Sequence, residues 1–197
     1  GKVNMVFNNA GVSVTDTAEN MPYEDFEWLM NINFWGVIYG CKSFLPHFHE
    51  VEEAHIINTS SIFGIVAVPS QSAYNASKFA VRGYSYAMRQ ELLDSHIGVS
   101  CVQPGGIKTN IIKSSRYTTA DNTAATKEEF ISRFNEFAGL TSEQAAEQIR
   151  RGVLANKARI LVGRDAKTAA IVERIAPTGY QTLLSKLVNS LLNDKST

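Results

Sequence analysis

Apolar residues in this chain fall into two kinds of run. Short continuous stretches at Lys2 to Asn8, Ala54 to Thr59, Gly98 to Gln103 and Ala158 to Val162 predict four buried strands. Between them the apolar residues keep helical spacing. Pro22 followed by Glu24 and Asp25 is a helix start, and Phe26, Leu29, Met30, Phe34, Val37 and Ile38 hold one face to about Phe44. A long helix runs from about Ser72 to Asp94, carrying Phe79, Ala80, Gly83, Tyr84, Ala87 and Met88, a face suited to core or to a subunit interface. Thr141-Ser142-Glu143-Gln144 opens a capped helix that reaches about Asn156. Lys127 to Phe137, Lys167 to Ile175 and Tyr180 to Leu192 also read as helical, the last docking on the protein's own core rather than on a partner or membrane surface. Ile111 to about Leu140 has no strand pattern. Strands alternating with helices predict an α/β fold with a parallel sheet.

Length and composition narrow the classes. A chain of 197 residues is one domain with room for a real core. Its formal charge of zero, with both signs interspersed, offers no basic patch for nucleic acid. Cys41 and Cys101 sit inside apolar runs and read as small buried hydrophobes, and the four histidines lack ligand spacing, so no metal site is expected. With no signal peptide and no apolar run long enough to span a bilayer, a soluble, reducing compartment is expected, most simply the cytoplasm.

The stretch from Ser60 to Lys78 carries the candidate chemistry. Within a helix, Tyr74 and Lys78 lie one turn apart on one face. A phenol with a pKa near ~10 is a poor acid–base catalyst at neutral pH, and a neighbouring cation is expected to lower it toward the working range. Ser61, at the end of a strand, is placed to hold a carbonyl oxygen against that phenol. Taken alone, a Tyr-x-x-x-Lys spacing more often marks a surface tyrosine beside a solvated lysine. Four further blocks change this: Asn8-Asn9-Ala10-Gly11, Asn31-Ile32-Asn33-Phe34-Trp35-Gly36, Ser60-Ser61 with Gly64, and Pro104-Gly105-Gly106-Ile107-Lys108-Thr109. In these blocks and the Tyr/Lys pair, in this order, the chain resembles the short-chain dehydrogenase/reductase family.

The resemblance implies a Rossmann-like, doubly wound parallel sheet in three α/β/α layers, over residues 1–197 as one domain, with residues 107–140 as a substrate loop or lid. It implies an NAD(P)-dependent oxidoreductase that interconverts a carbonyl and an alcohol by hydride transfer. Tyr74 would be the general acid/base, with Lys78 beside it. Ser61 is selected over Ser60 by its place before Gly64, with two residues between them. A mid-helix amide such as Asn33 ordinarily faces solvent; the family places a kink there and a water that links the lysine to bulk solvent. Asn9, Ala10 and Gly11 would pass beside the cofactor ribose, Tyr74 and Lys78 would also meet the cofactor, and Pro104, Gly105, Ile107 and Thr109 would meet the nicotinamide end. Thr109 also fits a helix N-cap after a Pro-Gly turn. NAD versus NADP is not legible. The expected partners are a small carbonyl or alcohol substrate, of apolar character given the aromatic residues in 127–137, and one or three further copies of the chain.

No glycine-rich G-x-G-x-x-G turn precedes Asn8. The expectation is therefore a C-terminal portion of a longer protein, lacking about three strands, whose first strand would be an open apolar edge and whose solubility alone would be poor. Two other readings stay open: a cofactor-binding relative that regulates or scaffolds without catalysis, and an inactive fragment.

Overall fold

A computed structural model describes residues 2–111, 113–117, 132, 138–182 and 184–185. In chain order the elements are β1 (Met5–Asn8), β2 (Val14–Thr15), α1 (Tyr23–Met30), a π-helical turn (Asn31–Trp35), α2 (Gly36–Phe48), β3 (Ala54–Thr59), a 3-10 turn (Ile62–Gly64), α3 (Ser72–Glu91), β4 (Ile97–Pro104), β5 (Arg116–Tyr117), α4 (Ser142–Leu154), β6 (Arg159–Val162) and α5 (Arg164–Ile175). The four strands read from the sequence form one parallel sheet in the order β1-β3-β4-β6.

β3 and β4 lie centrally and are buried on both faces, which is why neither alternates apolar with polar residues; their polar members His55, Asn58, Ser100 and Gln103 are buried as well. Ala54, Ile56, Ile97 and Val99 pack against Val37, Cys41 and Phe48 of α2 and Val81 and Met88 of α3. On the opposite face Ile57, Val102, Ile160 and Val162 pack against Ala145 and Val153 of α4. Because side chains alternate along a strand, these two clusters make three layers. Among the described residues β1 is an edge strand, and Met5 and Phe7 stand 42% and 53% exposed.

Three features differ from the sequence pattern. The helix expected from Pro22 to about Phe44 is broken by the π-helical turn at Asn31–Trp35, where the resemblance implied a kink, and runs on beyond Phe44 to Phe48. The region read as free of strands contains β5, which pairs in parallel with β2 to form a second, two-stranded sheet. Pairs this short leave no periodicity to read. The helix expected from Lys167 starts at Arg164, immediately after Gly163, whose φ of 99° only glycine adopts without strain. The helix read at Lys127 to Phe137, apart from Ser132, and most of that at Tyr180 to Leu192, lie outside the described residues. No helix among the described residues is long and apolar enough to cross a membrane.

Candidate active site

Parallel strands present all their carboxyl ends to one edge of a sheet, so the loops after β1, β3 and β4 converge there. β3 delivers two buried serines with different surroundings. The Ser60 hydroxyl donates to the Lys78 carbonyl at 2.7 Å and so fastens α3 to the strand end. Ser61 accepts from the Phe63 amide at 3.1 Å, and its hydroxyl is the hydrogen-bonding neighbour of the Tyr74 phenol. The fastening needs Gly64. A Cβ there would meet the Ser60 hydroxyl and lie 2.7 Å from the Lys78 carbonyl oxygen. Gly64→Ala is expected to cost ~1–3 kcal/mol, the usual scale of overpacking, read as a lower denaturation midpoint with an unchanged slope.

α3 places Tyr74 and Lys78 one turn apart, 9% and 3% exposed, with the ammonium 5.5 Å from the phenol ring centroid. The Lys78 ammonium donates to the Thr59 carbonyl at 3.1 Å. Burial pushes the Tyr74 phenol up to about 12, the Ser61 hydrogen bond pulling the other way, and burial brings the Lys78 ammonium down to about 8. The lowered phenol expected from the sequence is therefore not found. The ammonium faces the ring and is held by a strand carbonyl, so desolvation of the phenolate dominates.

Asn33 does not face solvent. It lies fully buried inside the π-helical turn. Its amide pairs with the Val12 backbone in both directions, Oδ1 accepting from the amide at 2.8 Å and Nδ2 donating to the carbonyl at 2.9 Å, and Nδ2 also reaches Ser77 Oγ at 3.2 Å. The side chain thus ties the loop after β1 to the helix layer. Gly11 completes the approach: a Cβ there would lie 3.3 Å from Asn33 Oδ1 and 3.4 Å from the Lys78 ammonium. Asn9 and Ala10 are exposed beside it, Asn9 Oδ1 accepting from the Thr59 hydroxyl at 3.2 Å. Asn8 points into the fold and donates to Asn58 Oδ1 at 2.8 Å.

Pro104, the last residue of β4, pairs with Val162, and beyond it Ile107 bridges to Leu140. Thr109 is exposed and, with Lys108, Asn110, Lys113 and Ser142, lines an open cleft of about 370 Å³. The edge therefore gathers Asn33, Ser61, Tyr74 and Lys78 into one buried cluster, with the loops of Asn9 to Gly11 and Pro104 to Thr109 on the same side of the sheet.

A model of the short chain dehydrogenase family matches residues 1–120. The chain belongs to the short-chain dehydrogenase family. SadH of Mycobacterium tuberculosis, by its name a candidate oxidoreductase, is 42% identical over 188 residues, which are 94% of this chain and 67% of SadH. The 3-ketodihydrosphingosine reductase of Bacteroides thetaiotaomicron is 42% identical over 109 residues, 55% of this chain and 40% of that protein. Among solved structures, a short chain dehydrogenase/reductase from Burkholderia phymatum in complex with NAD superposes with a TM-score of 0.76 at 25% identity, covering 92% of this chain and 68% of that one.

In this short-chain dehydrogenase two supporting residues went unread in the sequence. Asp165, in the first turn of α5, accepts from the Gly106 amide at 2.5 Å and so anchors the turn after β4. An acid in a first helical turn reads simply as a dipole partner, and nothing local reveals a bond across 59 residues. Gln71, buried at the start of α3, donates to the Thr15 hydroxyl at 2.8 Å and accepts from the Ser13 hydroxyl at 3.3 Å. It joins the loop after β1 to the helix that carries Tyr74.

Proposed function

We propose that the protein containing this chain is an NAD(P)-dependent oxidoreductase that interconverts a carbonyl and an alcohol by hydride transfer. The observation that carries the reading is the meeting of the Ser61 hydroxyl with the Tyr74 phenol over a buried ammonium at the carboxyl edge of a parallel sheet.

Ser61 holds the substrate oxygen and Tyr74 gives it a proton in reduction or removes one in oxidation. Lys78 stabilises the phenolate when it forms. Asn33 sets the loop at Val12 and supports the path for protons to and from Lys78. The residues at the edge fit a nicotinamide dinucleotide: Gly11 leaves open the space in front of Lys78 that a Cβ would crowd, and Asn9 and Thr109 stand exposed. Asn9, Ala10, Gly11, Tyr74, Lys78, Pro104, Gly105, Ile107 and Thr109 would hold it. When bound it supplies the hydride acceptor or donor. A dinucleotide-bound relative of the same fold supports this assignment.

The substrate is a small carbonyl or alcohol compound of apolar character, supported by the apolar surroundings of Tyr74: Val14, Phe63 and Ile111 pack in its cluster. A homodimer or homotetramer in the cytoplasm completes the reading. Exposed Trp35, Tyr39 and Phe79, with Trp35 and Tyr39 stacked at 5.9 Å, are apolar surface that a second copy would cover.

The test is consumption of NADH and NADPH by the full-length protein over a panel of aliphatic and aromatic aldehydes and ketones. Oxidation of either cofactor with at least one carbonyl is expected. Dinucleotide binding without turnover on any of them would replace this reading by a non-catalytic one.

A further inference from the structure

The short segment that forms β5 is fastened to the rest of the molecule by one residue acting in three ways. The Arg116 amide donates to the Ser13 carbonyl at 3.1 Å, inside the parallel pairing of β5 with β2. Its guanidinium lies over the Trp28 ring, 3.7 Å from the centroid. The same guanidinium meets Asp25 at 2.5 Å, with the aspartate side chain only 18% exposed. Trp28 and Asp25 both belong to α1, so one side chain joins the loop after β4 to the helix after β2.

An isolated surface ion pair contributes little, and two-residue strands do not hold themselves together. The arrangement here differs because a planar cation can stack and pair at once, which an ammonium cannot. What lies beneath is the wall of the candidate site. Ser13, Val14, Thr15 and Asp16 are all buried. On their far side Gln71 binds Ser13 and Thr15, and the Asp16 amide donates to the Ser70 carbonyl at 3.1 Å. Tyr74 is one turn further along the same helix, and Val14 packs in its cluster. β2 is thus held between the fastened segment and the helix start that carries the phenol.

We infer that Arg116 is a positioning residue: it clamps residues 113–117 onto Asp25 and Trp28 of α1, and the clamped segment holds the Ser13–Asp16 wall in place against Gln71 and Tyr74 for the carbonyl substrate. The inference rests on the oxidoreductase reading for its effect on catalysis, and on geometry alone for the clamp.

The experiment compares full-length protein with its Arg116→Ala, Arg116→Lys and Asp25→Asn variants and the Arg116→Ala/Asp25→Asn double variant. Amide hydrogen exchange, followed by mass spectrometry over residues 12–16 and 113–117, reads the clamp directly. Exchange there should quicken in Arg116→Ala and Asp25→Asn, with Arg116→Lys intermediate and the core strands β3 and β4 unchanged. KM for the carbonyl substrate should rise about three- to tenfold in Arg116→Ala, with kcat and the KM for the dinucleotide within twofold, and the double variant no worse than Arg116→Ala. Unchanged exchange in Arg116→Ala overturns the clamp, whether or not turnover is found. Faster exchange with an unchanged substrate KM overturns the positioning role. A parent protein without turnover sinks the proposed reaction, and the exchange result still decides the clamp.

Discussion

Tyr74→Phe is expected to lower turnover by at least ~100-fold, the lower range for loss of a general acid–base group, while the protein keeps its fold. The ring itself is packing material. It stands edge-on to Phe63, centroids 5.9 Å apart, and shares a cluster with Val14, Leu29 and Ala73, none of which touches the change from phenol to phenyl. Only the oxygen that meets Ser61 is lost. The pH dependence separates chemistry from packing. With the phenol pushed up to about 12, the neutral form that reduction needs prevails at neutral pH, and the phenolate that oxidation needs grows as pH rises. Alcohol oxidation should therefore climb through the alkaline range in the parent and be both low and flat in Tyr74→Phe. Steady-state rates in both directions between pH 6 and 10 check it, and near-parental turnover in the variant refutes the assignment.

Lys78→Met is expected to abolish most activity and yet to leave the protein no less stable at neutral pH. The buried ammonium is brought down from 10.5 to about 8, a cost of holding the charge of roughly 3 kcal/mol. Loss of its charge-assisted bond to the Thr59 carbonyl offsets about 1.5–3 kcal/mol of that, leaving at most a small net gain for the apolar replacement. The sign with pH follows from a folded-state value below the unfolded one. The parent has its full contribution from this group above pH 10.5 and loses it as pH falls toward 8, so the variant's advantage is largest at pH 7 and shrinks toward pH 10. Thermal melts of both proteins at pH 7 and pH 10 measure the difference. An advantage that grew with pH would mean that the ammonium is not paying a desolvation penalty in the fold.

The two variants also show where sequence reading succeeds and where it stops. Tyr74 and Lys78 were legible as a pair because helical periodicity is local: four residues along a helix always return to the same face. Ser60 and Ser61 were legible as a pair at a strand end, and the family pattern before Gly64 selected Ser61; their surroundings show the physical difference, one bound to the Lys78 carbonyl and the other beside the phenol. Asn33 was placed in a helix, but its burial and its pairing with Val12 across 21 residues were not visible in the local pattern. The same holds for Asp165 and Gly106, and for Arg116 with Asp25 and Trp28.

By itself, then, the sequence determined the four strands and their helices, the parallel three-layer architecture and the edge at which the polar residues would gather. The strands and helices follow from side-chain periodicity and backbone propensity, which act over a few residues; the three layers and the shared edge are what the family resemblance of the five ordered blocks implied. The tertiary structure alone decided that Asn33 pairs with the Val12 backbone, that two distant dipeptides pair as β2 and β5, and that the phenol rises where its neighbouring cation had been expected to lower it. Each of these depends on how much water is left around a group and on which distant atoms replace it, and no local stretch of sequence encodes that.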